Sequence, residues 1–437
     1  MCAHTLNELN NKLRSGDIEI EDVIEEVLAQ IDEKESEISA LLPEKNRRQR
    51  LQQQARAVKD SIDNEAENSN IYGIPIGIKD IFHVDGFATR AGSRLDPEFI
   101  TGEEGYIVSE IKKQGGLILG KTVTTEFAYF VPGPTRNPHN LAHTPGGSSS
   151  GSAAAVAAGY CPLALGTQTI GSVIRPAAFC GVIGFKPSYN RIPLEGLIKF
   201  SESADHIGFF TREVKGMELA SEALIPSWKS EFSSRVSRPV LGLPHDSYLQ
   251  QADRKGLKNW EESKKTLDKA GYKLVKTAIL EDIEEINQAH NTLVAYEFAR
   301  VHENWFEDHG QRYRKETVEL IKTGQKIEKK EYLQAKEARL HRREELHNRM
   351  RRNGVDIIIS PAAPGPAPQG IDSTGDPVMN LPWTNTGLPA VTVPSGISAQ
   401  ELPFGLQLVA EYERDEKLLK WADEIAGILQ AESKLKS

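Results

Sequence analysis

The residues best placed to do chemistry in this 437-residue chain lie between positions 145 and 187. Ser148, Ser149, Ser150, Ser152, Thr167, Thr169 and Ser172 occur there among glycines and alanines, with no Asp or Glu and with Arg175 and Lys186 as the only basic residues. In a chain that is 26% charged, so long an almost uncharged run is expected to be buried, and buried hydroxyls need partners. One reading is structural: a tightly packed Gly/Ala helix with its loops. The other is chemical: a buried hydroxyl nucleophile beside backbone N–H groups that can hold an oxyanion. A serine hydroxyl is a weak nucleophile at neutral pH and needs a base within hydrogen-bond reach. Lys79 closes the apolar run 74–78. Burial there would disfavour its charged form and let the amine accept a proton; the alternative is a solvated strand end.

Several ordered motifs resemble one family, the amidase signature hydrolases. They are Gly146-Gly147-Ser148-Ser149-Ser150-Gly151-Ser152, Ala164-Leu165-Gly166-Thr167, Gly171-Ser172, Pro176-Ala177-Ala178 and Gly184-Phe185-Lys186-Pro187. Gly73-Ile74-Pro75-Ile76-Gly77-Ile78-Lys79-Asp80 upstream and Asp205-His206-Ile207-Gly208 downstream extend the match. The resemblance spans roughly residues 6–429 and is weakest at about 227–352. It implies a twisted mixed α/β sheet covered by helices on both faces, and a Ser–Ser–Lys triad. Carried across, Ser172 is the nucleophile, Ser148 the bridging serine that can both accept and donate, and Lys79 the base. The oxyanion hole would be the backbone of Thr169, Ile170, Gly171 and Ser172. The implied substrate contacts are Tyr129, Phe130, Gly146, Gly147, Ser149, Gln168 and Trp383. The chain departs from the commonest family pattern in having Gln168 for Asp, Ile170 for Gly, and Arg175 one place late. Ile170 is expected to narrow the site or alter the oxyanion geometry, because a β-branched residue tolerates fewer backbone conformations than glycine.

The resemblance implies hydrolysis of a small-molecule amide, ester or carbamate through an acyl-enzyme. Two alternatives share the signature or the scaffold. One is the glutamine-hydrolysing subunit of a tRNA-dependent amidotransferase, which would need partner chains; the other is a non-catalytic binding protein.

Two further patterns fail on context. Gly147 to Gly151 fits G-x-S-x-G, but a loop with Pro145 precedes it where a nucleophile elbow needs a strand. Gly115 to Thr122 fits the phosphate-cradling pattern, but Leu117-Ile118-Leu119 reads as a buried strand rather than a loop. His139 and His143 have a metal-like spacing, yet Pro138 and Pro145 flank them and no third ligand is near; no metal or cofactor is expected.

A net charge of −9 argues against a general affinity for nucleic acid. Cys2, Cys161 and Cys180 form no disulfide framework, and the last two read as small hydrophobes. No apolar run is long enough for a signal peptide or a membrane span. A cytoplasmic protein is expected, with a homodimer as the default assembly.

The elements that must position these groups follow from periodicity. Residues 1–65 read as a helical region packed on the core, with apolar residues at helical spacing from Ile20 to Ile31 and Ser15 or Asp17 as its cap. An acidic loop follows at 63–70, then the strand that ends at Lys79. Helices are expected at 103–114 and 152–159, strands at 117–119, 162–165 and 182–185, and a short turn at 125–129. Residues 66–437 form the signature domain. Its more variable helical segment, about 212–352, includes long helices at 283–305 and 327–352 and is expected to shape the substrate entrance. A strand at 356–360 leads to an ordered Pro-rich loop that continues past Trp383 and closes over the acyl pocket. Strands at 390–393 and 405–409 and an amphipathic terminal helix complete the chain.

Overall fold

The structure, a computed structural model, describes residues 4–60, 69–230 and 237–436. Cys2 and most of the expected acidic loop at 63–70 lie outside the described residues. Ten strands form one mixed sheet among them: β1 (Pro75–Lys79), β2 (Leu117–Thr122), β3 (Leu163–Gln168), β4 (Ile183–Lys186), β5 (His206–Thr211), β6 (Leu241–Leu243), β7 (Leu274–Lys276), β8 (Ile357–Pro361), β9 (Ala390–Ile397) and β10 (Pro403–Ala410). Their spatial order is β2-β1-β3-β5-β4-β9-β10-β8-β6-β7. The two ends of the sheet are parallel and the middle, from β3 to β8, is antiparallel.

Every residue of β1 to β5 is buried. A sheet covered on both faces has no polar face to alternate with, so these strands read as continuous apolar or small-residue runs. Successive residues enter different cores. Ala164, Phe210 and Leu117 pack with the helices Ile20–Ile38 and Ser150–Ala157, whereas Leu163, Phe209 and Ile118 pack on the other side with Val214–Leu224 and Asp415–Lys436. The N-terminal helices join the same cores. Gly73 is a close contact there, since a Cβ on it would lie 2.8 Å from Ile20.

Several elements differ from expectation. β5 carries no alternation and has no counterpart among the expected strands. The stretch 380–384 is not loop throughout: Leu381–Asn385 is a short buried helix with Pro near its start. The expected 283–305 helix stops at Val301, and a separate helix, Glu303–His309, follows. Neither Ser15 nor Asp17 caps the second helix. They bond to each other, and Glu19 occupies the cap. The GGLILGKT pattern does lie on a strand, β2. Its Lys121 pairs with Asp80 at 3.0 Å and donates to the Phe82 carbonyl at 2.5 Å.

The helix Lys315–Lys326 packs on Ile283–Val301 through Gly324, where an added Cβ would lie 1.9 Å from the Ala295 carbonyl oxygen. Alanine normally stabilises a helix by up to ~1 kcal/mol over glycine, but overpacking costs ~1–3 kcal/mol. Gly324→Ala is therefore expected to lower the melting temperature; an unchanged or higher value in a thermal scan would show that the two helices are not this close.

Candidate active site

The parallel pairing of β1 with β3 sets the geometry. Ile78 lies opposite Leu165, so the C-terminal ends of both strands open at the same edge of the sheet, where α/β folds place their ligands. Lys79, the last residue of β1, is fully buried. Its Nζ lies 2.8 Å from Thr167 Oγ1 on β3 and 2.8 Å from Ser148 Oγ. Burial pushes the Lys79 pKa down to about 7, against the opposing pull of the Asp205 carboxylate. A neutral amine in this setting donates to one hydroxyl and accepts from the other.

Ser148 comes from the loop before the helix Ser150–Ala157, and the Gly147–Ser148 peptide is cis. That helix lies directly on backbone: a Cβ on Gly151 would fall 2.2 Å from the Ala40 carbonyl oxygen. Gly166 likewise leaves room for Ser149, whose Oγ would lie 2.7 Å from an added Cβ. Close packing thus accounts for much of the small-residue composition, and the structural and chemical readings of this stretch both apply to it.

Gln168 ends β3 and organises the next turn. Its Oε1 accepts from the N–H groups of Val173 and Ile174, at 2.9 and 3.0 Å, at the start of the helix Ile174–Cys180. Its Nε2 donates to Thr384 Oγ1 at 2.9 Å. A carboxylate could cap the helix, but only an amide can also donate. Ile170 does not have a positive φ, so a β-branched side chain fits there without backbone strain and projects onto the cavity wall. Gly171 cannot be enlarged: a Cβ would lie 2.5 Å from Asn380 Oδ1 and 2.8 Å from Pro377. Among the described residues, the N–H groups of Ile170, Gly171 and Ser172 donate to no protein acceptor.

Arg175 is fully buried and donates to the carbonyls of Gly147 and Gly375, each at 2.6 Å. It ties the serine loop to the Pro-rich segment, and burial lowers its pKa to about 10. Asp205, raised to about 6 by burial, accepts from Thr169 Oγ1 and from the N–H groups of Phe200 and Ser201.

A narrow cleft with an accessible volume of about 10 Å³, room for about a single water, lies at Ser172. Tyr129, Phe130, Ile170, Phe200, Arg175 and Pro377 surround it. Of the expected substrate contacts, Tyr129 and Phe130 are on this wall; Gly146, Gly147, Ser149, Gln168 and Trp383 are not. Gly146 and Gly147 pack their backbones against Pro176 and Thr374. Ser149 bonds the Thr167 backbone, and Gln168 is occupied as described. Trp383 is fully buried, its Nε1 donating to Tyr248 Oη at 3.1 Å. It lies off the cavity wall, and residues 381–385 fold as a helix rather than as a covering loop. Wider grooves elsewhere, such as the one beside Asn259 and Ile397, share no residue with this cavity.

The family model Amidase matches residues 22–419. The chain belongs to this family. It is an amidase-family hydrolase, and the mixed sheet is the fold of its relatives. It is 29% identical to a component chain of the glutamyl-tRNA(Gln) amidotransferase of Geotalea daltonii, over 96% of both chains. To the corresponding chain of the Chlamydia trachomatis amidotransferase it is 30% identical, over 79% of this chain and 80% of the other. Among solved structures, a crystal structure of an amidase is 30% identical with a TM-score of 0.85, covering 98% of this chain and all of that one. A chain from a vestigial protein complex, tied to the evolutionary origins of an s-triazine catabolic enzyme, is 26% identical with a TM-score of 0.86, over 98% of both chains.

Sequence reasoning did not find Thr167 as a partner of Lys79, nor His290 and Thr384 as partners of the turn before Ser172. Thr167 lies inside one of the matched motifs and could have been found; His290 and Thr384 carry no local signal. No helix among the described residues is long and apolar enough to cross a membrane.

The buried lysine has a measurable signature. Its folded pKa of about 7 lies below the ordinary lysine value near 10.5. Between those values the unfolded chain binds a proton that the folded chain does not, so wild-type stability rises with pH across that window. Lys79→Met lacks this dependence. Its stability relative to wild type, read by denaturant unfolding, is expected to be greatest near pH 7 and to shrink towards pH 10. A difference independent of pH would mean that Lys79 is charged when folded.

Proposed function

We propose that this chain hydrolyses a carbon–nitrogen amide-type bond of a small molecule through a serine acyl-enzyme. The observation that carries this reading is Lys79: fully buried, held near neutrality, and bonded to two hydroxyls rather than to an acid. Ser172 Oγ attacks the carbonyl carbon while its proton passes through Ser148 to the Lys79 amine. The carbonyl oxygen becomes an oxyanion among the N–H groups of Ile170, Gly171 and Ser172. Collapse of this intermediate breaks the C–N bond, and the leaving amine takes the proton back through Ser148. Water then attacks the acyl-enzyme by the same route and frees the acid. The narrow cleft, with Tyr129, Phe130 and Phe200 on its wall, favours a small or flat acyl group; aryl amides, esters and carbamates all have such forms.

The relatives favour a second reading, the glutamine-hydrolysing component of a tRNA-dependent amidotransferase. The cavity argues against it. Glutamine presents a free carboxylate, and Arg175, the cationic side chain on the wall among the described residues, holds Gly147, Gly375 and Thr374 with its two terminal nitrogens and leaves only its Nε–H without a protein acceptor.

Three results are expected of the isolated chain. A fluorophosphonate probe labels Ser172, and Lys79→Ala abolishes the labelling. Turnover of an aryl ester or amide rises with pH around a midpoint near 7, following the neutral fraction of Lys79. Glutamine is not hydrolysed. Labelling at Ser149, or a rate flat from pH 5 to 9 with chemistry limiting, would sink the triad. Glutaminase activity that appears only with co-purifying partner chains would establish the amidotransferase reading instead.

A further inference from the structure

The turn that carries Ile170, Gly171 and Ser172 is gripped by its carbonyls. In a trans peptide the C=O of one residue and the N–H of the next point in opposite directions. Fixing a carbonyl therefore aims the following N–H. The Ile170 carbonyl accepts from Thr384 Oγ1 at 2.7 Å and the Gly171 carbonyl accepts from Arg175 N at 3.0 Å. The Thr169 carbonyl faces His290 Nε2 at 2.9 Å. His290 is fully buried on the helix Ile283–Val301, 121 residues away in sequence.

A carbonyl only accepts, so the imidazole must donate through Nε2. Nδ1 faces the Asn385 side-chain amide at 3.3 Å. We infer that His290 is a positioning residue: as a neutral donor to the Thr169 carbonyl, it aims the Ile170 N–H at the developing oxyanion. Burial holds its pKa down to about 3, so it stays neutral over the working range and takes no part in proton transfer. The inference rests on the hydrolase reading above and adds a role for the variable helical segment within the site itself.

The test compares His290→Leu, which removes the donor, with His290→Gln, which supplies an amide N–H on an arm of similar reach. Substrate turnover and thermal unfolding are measured on the full chain. Removing a whole oxyanion donor costs ~10²–10³ in kcat, and a mis-aimed one less, so His290→Leu is expected to lose ~10–100-fold in kcat. Its KM should stay within about twofold and the pH midpoint near 7 should not move. His290→Gln should regain most of the loss. Should His290→Leu not fold, His290→Asn serves in its place, as a donor on too short an arm. It should fall well below His290→Gln at a similar melting temperature. Wild-type kcat in His290→Leu, equal losses in the Leu and Gln variants, equal kcat in Asn and Gln, or a change confined to KM would each overturn the assignment. A wild type that neither turns over substrate nor is labelled at Ser172 sinks the hydrolase reading and this inference with it, an outcome that no comparison among His290 variants can mimic.

Discussion

The burial of the Lys79 amine is the constraint on which the rest depends. Holding a lysine near neutrality, with its pKa at about 7, costs on the order of 5 kcal/mol relative to water. That is comparable to the net stability of a whole domain, and the surrounding sheet must offset it. A ten-stranded sheet with cores on both faces does so. Lys186, at the end of β4, provides a contrast. It is as deeply buried and its pKa is also about 7, but it donates to the carbonyls of Leu388 and Pro187. Carbonyls can only accept, so they hold its hydrogens in place and make it a strut. Lys79 faces hydroxyls, which both give and take protons. What separates the two lysines is their partner atoms, not the depth of their burial.

The departures from the family pattern in the turn that leads to Ser172 form one local solution. Gln168 caps the helix with its oxygen and holds Thr384 with its nitrogen, and Thr384 holds the Ile170 carbonyl. Ile170 needs no glycine because its backbone stays out of the left-handed region. Arg175, one place late, still reaches both the serine loop and the Pro-rich segment.

The parts of this arrangement visible in the sequence are those that repeat a short-range rule. The almost uncharged run from 145 to 187 is buried except at Ala157, Ile170 and Gly181. The strand ending at Lys79 follows from an apolar run, and the failure of the phosphate-loop pattern follows from Leu117-Ile118-Leu119. β5 escapes detection because a strand covered on both faces has no period to find. The helix at 381–385 escapes it because prolines mask a short turn. The residue type of Trp383 suggests a place on the cavity, but only the tertiary structure shows that its indole N–H is taken by Tyr248. His290 and Thr384 could not be found locally, because their role exists only across 121 and 214 residues of chain.

That separation also orders events in time. Lys79, Ser148 and Ser172 all lie in the first 40% or so of the sequence, whereas the side chains that hold the carbonyls of Thr169 and Ile170 come from residues 290 and 384. Contacts of such long range form late, after the entropy of closing large loops has been overcome. A chain emerging from the ribosome therefore carries its serines and lysine well before it can aim the backbone between them. The architecture leaves this turn unfixed until the helices that carry His290 and Thr384 have docked.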